Sequence, residues 1–207
     1  MMRKLVSFVL AAAMVFTVSL ALAKTVEPED PKTERFARKT VHATVGEYVD
    51  YLNAFRVTVY ENDRFDDDDI DRLAAGDILL VDGRPHAVKE MTKAPDGEPM
   101  AVTEDGYEIV FVMEGDDYAA YFTDDDRQCM HGIAVLLLPP ADGIVYEDNS
   151  DPDLGGQMKV VEGLEEILKA KAEKEESSIG FDFYATTVTL NEKLEIVKIH
   201  QDFDVAQ

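Results

Sequence analysis

The chain has 207 residues, with 20 lysines and arginines against 43 aspartates and glutamates, so its formal net charge is −23. Such an acidic surface repels nucleic acid phosphates and anionic membranes, which excludes nucleic acid as an expected partner and favours cations or basic proteins. Cys129 is the only cysteine in the sequence, so an intramolecular disulfide is excluded and stability must come from the hydrophobic core.

The first 23 residues have the layout of a secretory signal peptide: two bases, a long apolar run and a small-x-small sequence ending at Ala23. An uncleaved anchor is the alternative, but the apolar run is short for a span of about 20 residues. We therefore expect a secreted or periplasmic protein that begins at Lys24 and has no membrane contact after cleavage. Because the removed segment holds two bases and no acid, the mature charge is −25.

Residues 24–37 contain two prolines, four acids and few apolar side chains, which predicts a flexible acidic linker. Alternating apolar residues then predict strands over 39–51 and 54–61. The acidic run 66–69 predicts the start of a short helix, because carboxylates stabilise the unpaired N–H groups and the positive dipole end of a helix N-terminus.

The stretch 73–91 carries the strongest local signal. Residues 78–81 are apolar and strand-like, and Asp82-Gly83 follows as a two-residue turn, because glycine adopts the positive φ of a tight hairpin at no steric cost. Pro85 lacks an N–H, so it belongs at a strand start or on an edge. We expect this hairpin to lie at the centre of an antiparallel β domain.

Further strand signals recur at 100–103, 107–113, 118–122 and 133–138, separated by turn residues. In 107–113 both faces are largely apolar, which indicates a central strand. The predicted fold is mainly β (α+β), an antiparallel meander that forms a barrel or a sandwich.

The last third changes character. A polar loop is expected over 142–156, and apolar residues at helical spacing within 160–168 predict one amphipathic helix near 158–175. A C-terminal β-hairpin over 181–203 should complete the sheet. We therefore predict a single globular, mainly-β domain over 38–205.

One stretch resembles the calcium loop of the EF-hand over twelve residues. Asp151, Asp153, Gly156 and Glu162 occupy positions 1, 3, 6 and 12, where that loop needs early carboxylates, a glycine for the turn and a final bidentate glutamate. A glycine at position 5 and the lack of a preceding helix depart from the pattern. The resemblance implies calcium bound by Asp151, Asp153 and Glu162; the alternative is an acidic loop that caps a helix.

A second candidate places the acids 124–126, Cys129 and His131 within eight residues. It could be a soft-metal site or a Cys/His nucleophile pair. The alternative is a solvated turn followed by a buried cysteine that acts as a small hydrophobe, and we favour it because structural cysteines are the common case.

The remaining candidates are dispersed. His42, His86 and His200 fall on separate predicted strands, and the acid clusters 61–71 and 114–126 could supply the two carboxylates that glycoside hydrolysis needs. With so many acids, such pairs also arise by chance.

Two functions follow as expectations. The preferred one is an exported, strongly acidic, non-catalytic binding domain of unknown ligand, which takes a cation or a protein partner. No catalytic residue is assigned, and calcium is the cofactor that the EF-hand resemblance implies. The alternative is a small secreted hydrolase that uses a carboxylate pair or Cys129 with His131.

Overall fold

The computed structural model describes residues 34–150, 157–175 and 185–202. These ranges contain two α-helices, α1 (Asp67–Arg72) and α2 (Leu164–Glu175), and fourteen strands. The strands are β1 (Thr40–Val49), β2 (Ala54–Asn62), β3 (Arg64–Phe65), β4 (Ile78–Val81), β5 (Arg84–Lys93), β6 (Pro99–Thr103), β7 (Glu108–Glu114), β8 (Asp117–Phe122), β9 (Arg127–Gln128), β10 (Met130–Leu138), β11 (Pro140–Asp148), β12 (Lys159–Glu162), β13 (Thr186–Leu190) and β14 (Ile196–Gln201). The mainly-β fold expected from the sequence is confirmed.

Seven strands form the first sheet, in the order β10-β2-β1-β13-β14-β11-β12. Neighbouring strands are antiparallel except β11 and β14, which are parallel. One face carries the first core, in which Phe55, Val57 and Ile196 are fully buried with Ile167 of α2. Helix α2 therefore lies on this sheet, as the amphipathic pattern predicts.

Residues 63–129 form the second sheet, which is inserted between β2 and β10, two strands that pair with each other. This sheet is a curled half-barrel in the order β3-β8-β7-β6-β5-β4, and β9 pairs with β8. Consecutive strands from β4 to β8 are antiparallel neighbours, which is the predicted meander. Ile109, Phe111 and Phe122 face inward in a second, separate core. That 38–205 behaves as one domain stays a prediction.

The predicted hairpin forms, but it does not lie at the centre of the sheet. Asp82 and Gly83 have φ values of 52° and 67°, the positive values that a two-residue hairpin turn of this type requires. Among the described residues β4 pairs only with β5, so it is an edge strand. Leu79 and Val81 are buried, which gives the strand its apolar signal, and such a local signal does not distinguish an edge from a centre.

Residues 142–148 of the polar loop expected over 142–156 belong to strand β11, and residues 151–156 lie outside the described ranges. Ile144 and Tyr146 alternate into the first core, and β11 pairs with β14, which comes from the end of the chain. The prediction of a loop over 142–148 was wrong because only three consecutive apolar residues, 144–146, mark the strand, and its parallel partner β14 is more than fifty residues away along the chain.

The helix expected near 158–175 begins at Leu164. The residues before it form β12, which pairs antiparallel with β11, and Gly163 at φ 88° separates strand from helix. Two adjacent β-branched residues, Val160 and Val161, suit the strand better than a helix. Of the C-terminal hairpin predicted over 181–203, the described part is confirmed as β13 and β14, and residues 181–184 and 203 lie outside the described ranges.

Helix α1 forms where the acidic run predicts it. The Asp66 side chain accepts the backbone N–H of Asp69, and the Asp69 side chain accepts the backbone N–H of Asp66, which is a reciprocal capping box. These two acids therefore stabilise the N-terminus of α1.

Candidate functional site

A buried aspartate connects the two sheets. Asp63 stands between β2 and β3, and its side chain is 7% exposed. One carboxylate oxygen lies 2.7 Å from Nδ1 of His131, and the other accepts the backbone N–H of Asp82 at 2.7 Å. The Asp63 backbone N–H donates to the carbonyl of Cys129 at 2.9 Å. We call these four residues, together with Arg127, the seam.

Cys129 is fully buried at the seam, as expected for the structural cysteine that the sequence analysis favours. Burial raises the pKa of its thiol well above the usual range, and the nearby carboxylates of Asp63 and Asp82 raise it further. A thiol with this pKa stays protonated at neutral pH and is a poor nucleophile. The ring nitrogen Nδ1 of His131 contacts the carboxylate of Asp63, so this nitrogen already has a hydrogen-bond partner.

Arg127 supplies a positive charge at the seam, beside Asp82 and Asp125. The Nε atom of Arg127 lies 3.1 Å from Asp125, its Nη1 lies 3.8 Å from Asp82, and its guanidinium lies over the Phe122 ring. Burial raises the pKa of Asp82, while the attraction of Arg127 opposes that rise. Asp82 is therefore the seam carboxylate that best resembles a general acid, but its side chain is 14% exposed and so has little access to a substrate.

The second predicted acid cluster contains Glu114, whose carboxylate is fully engaged. Its two oxygens accept hydrogen bonds from the Tyr121 hydroxyl at 2.5 Å and from Arg64 at 2.7 Å. The Tyr121 hydrogen bond, followed by the Arg64 bond and charge, lowers the pKa of Glu114. A general acid needs the opposite shift.

Two of the dispersed histidines share one face of the first sheet. His42 and His200 each pair with Thr187, so the three side chains lie in one cross-strand row. The two ring nitrogens of His200 lie 3.1 Å from Glu147 and 3.2 Å from Asp202. Within the described ranges, no group of three histidines, cysteines or acids is placed to hold a metal ion.

His86 is far from that row. It lies inside the half-barrel, where Nδ1 is 2.9 Å from Asp105 and the ring packs edge-on against Tyr107 and Phe122. The three histidines therefore do not converge.

The predicted calcium ligands are placed only in part. Asp151 and Asp153 lie outside the described residues, and Glu162 is exposed at the end of β12, opposite Val145. Helix α2 leaves two residues after Glu162, whereas the EF-hand glutamate already belongs to the outgoing helix. Calcium binding at these three residues stays a prediction.

A further surface comes from the second sheet, whose convex side we call the outer face. Side chains alternate along β6 and β7: Ala101, Ile109 and Phe111 are fully buried on the inner side. The alternate positions point outward, and most of them are also apolar. Ala119 of β8, opposite Val112, is fully buried. The other five are all half-buried: Met100 and Val102 on β6, Val110 and Val112 on β7, and Tyr121 on β8.

None of these five side chains belongs to either core formed by the described residues. No strand of the first sheet packs extensively on the second sheet in this part of the chain. The apolar signal on both faces of β7 correctly predicts a central strand. What the sequence did not predict is that these side chains are half-buried and join neither core.

Carboxylates border the outer face. Glu90 and Glu108 flank Val102 across the sheet, and Glu114 stands at the far end of β7 in its ion pair with Arg64. Lys89 occupies a β-bulge beside Glu90. The surface thus combines an apolar centre with a mainly acidic border.

Comparisons with protein-family models, with curated proteins and with solved structures gave no match for this chain. None of the helices in the described ranges has the length and apolar character needed to cross a membrane.

Proposed function

We propose that this protein is an exported, non-catalytic binding domain, and that its partner is a protein segment with apolar and basic side chains. The observation that carries the proposal is the outer face of the second sheet, a half-buried apolar surface that joins neither core and is bordered by carboxylates. Protein interfaces commonly have this composition, an apolar centre that is desolvated on binding and a polar rim.

The charge of the chain supports the same class of partner. At −23 the protein attracts cationic segments over long range and so increases their encounter rate. Glu90 and Glu108 then lie where basic side chains of a bound segment would contact the rim. Export rests on the predicted signal peptide, and the intact mass of exported material should correspond to a chain that begins at Lys24.

Hydrolysis, the alternative function, has less support. It requires an activated nucleophile or a pair of accessible carboxylates. Cys129 is buried with a raised pKa, the Asp63 carboxylate is engaged by two partners, and the lowered pKa of Glu114 opposes acid catalysis.

The test uses two synthetic peptides that alternate valine with lysine or valine with glutamate. Fluorescence anisotropy should show that the lysine peptide binds the mature protein and that added salt weakens the complex, while the glutamate peptide does not bind. The double variant Val110→Thr/Val112→Thr should bind the lysine peptide several-fold more weakly, because it makes the centre of the outer face more polar.

Val145→Thr is the matched control, since Val145 is a half-buried valine on a strand of the first sheet. It should bind like the wild type. Equal affinity for both peptides, or an equal loss in both valine variants, would show that the outer face is not the binding surface.

A further inference from the structure

Strand β4 leaves one edge of the half-barrel open. It pairs only with β5 among the described residues, and the side chains of Ile78 and Leu80 are 64% and 62% exposed. At the opposite edge β3 is two residues long and carries Arg64, which is ion-paired with Glu114. Short strands and charges protect an edge from further pairing, and exposed aliphatic side chains do not.

The backbone groups on this edge are oriented for pairing. Leu80 pairs with Pro85, which has no N–H, so this is a non-hydrogen-bonded pair of the ladder. Because the two kinds of pair alternate, Ile78 also occupies a non-bonded position and Leu79 is bonded to His86. The N–H and C=O groups of Ile78 and Leu80 therefore point away from β5, toward the open part of the edge. The next N–H on this side, that of Asp82, donates to Asp63 of the same chain, so the open part ends at Val81.

We propose that two copies of this chain associate through β4, which pairs antiparallel with β4 of the second copy and joins the two half-barrel sheets. The favoured register places Ile78 opposite Leu80 of the second copy, with Leu79 at the two-fold axis. It is the antiparallel register that uses both outward-pointing residues of each copy in hydrogen-bonded pairs. The exposed aliphatic side chains then pack in two cross-strand pairs.

The charges at the two ends of β4 make this edge self-complementary. In the same register Asp77 lies in one row with Val81 and Arg84 of the second copy, because Val81 and Arg84 are ladder partners. Two strand spacings separate the Cα atoms of Asp77 and Arg84 by about 10 Å, which an arginine side chain can span. One oxygen of Asp77 accepts the backbone N–H of Ala74 within its own chain, which leaves the other oxygen for Arg84 of the second copy. The acid at one end of β4 then pairs with the base at the other, which makes the interface self-complementary about a two-fold axis.

The net charge of the chain opposes dimer formation but favours binding of a basic partner. The two kinds of association should therefore respond to salt in opposite directions. Two chains of −23 repel each other, and salt screens the repulsion between exposed charges. Self-association should strengthen with added NaCl, whereas binding of the basic peptide should weaken. Because the paired edge is short, the dimer should be weak and concentration-dependent.

The first experiment is sedimentation equilibrium of the mature protein over a wide range of concentration. The wild type should approach twice the monomer mass, and Leu80→Lys should raise the dimer dissociation constant at least about tenfold, because it places an unpaired charge in the interface. Val135→Lys is the matched control, since Val135 is 64% exposed on β10, an edge strand of the first sheet. A monomeric wild type, or equal effects of both variants, would overturn the proposal.

The second experiment tests the register with Ile78→Cys and Leu80→Cys, two variants at exposed positions. Under mild oxidation the mixture should form intermolecular disulfides several-fold faster than either variant alone, because Ile78 faces Leu80 of the second copy and not itself. Equal rates in all three samples would exclude this pairing. Peptide binding by the outer face in a protein that stays monomeric would overturn the dimer and leave the proposed function intact.

Discussion

The carboxylate of Asp63 contacts His131 with one oxygen and the backbone N–H of Asp82 with the other, each at 2.7 Å. Asp63 therefore connects two parts of the fold. It links the β4–β5 turn of the second sheet to β10, the strand with which the chain returns to the first sheet. Both contacts cross long stretches of sequence, so they form only when the two sheets are placed correctly.

Asp63→Ala should therefore lower the free energy of unfolding by about 1–3 kcal/mol, because it leaves a part-buried N–H without its acceptor. Urea denaturation followed by circular dichroism measures the loss. Asp117→Ala removes an exposed carboxylate from β8 and serves as the control, with an expected change within about 0.5 kcal/mol. Equal losses in the two variants would refute the role of Asp63.

Cys129 should not react with thiol reagents in the native protein. Its side chain is buried, and its raised pKa leaves almost no thiolate at neutral pH. In the variant Leu80→Cys, an Ellman assay should count one fast thiol under native conditions and a second only in denaturant. Fast reaction of both thiols without denaturant would restore Cys129 as a candidate nucleophile.

The Tyr121–Glu114 hydrogen bond should give a stability contribution that depends on pH. It is the first cause of the lowered pKa of Glu114, so the folded state favours the ionised carboxylate. That contribution is fully present above the unfolded pKa, near 4.5, and is lost as the pH falls through the lower folded pKa. Melting temperatures of wild type and Tyr121→Phe should differ at pH 7 and converge in acid.

Tyr107→Phe is the control for this experiment, because Tyr107 is 40% exposed and its ring contacts are aromatic. Its difference from the wild type should not change with pH. A constant Tyr121→Phe difference across the acid range would contradict the assignment.

Calcium binding at Asp151, Asp153 and Glu162 predicts a melting temperature that rises with calcium and saturates. Glu162→Gln should abolish the rise, because it removes the carboxylate that would bind the ion through both oxygens. Both proteins are compared at constant ionic strength, so that screening of the acidic surface does not contribute. If sodium produces the same rise, or if the variant responds like the wild type, the acids act only as solvated charges.

The sequence alone was sufficient wherever a local rule applies. The strand signals gave β1, β2 and the meander of the second sheet, Asp82-Gly83 gave the hairpin turn, and the acids 66–69 gave α1. These features depend on backbone preferences of neighbouring residues and on the alternation of side chains along a strand, and both can be read from consecutive positions.

Tertiary structure decided which strands are neighbours and which faces are covered. The sequence of β11 predicts a loop, but in the structure it pairs with β14 as a strand. The sequence of β12 predicts the start of a helix, but in the structure it pairs with β11 as a strand. Asp63 carried no signal at all, since its partners His131 and Asp82 are 68 and 19 positions away. Val110 and Val112 indicate that β7 has two apolar faces, but only the tertiary structure shows that the second face joins neither core. A sequence pattern records which face is apolar, whereas burial depends on which elements meet in space.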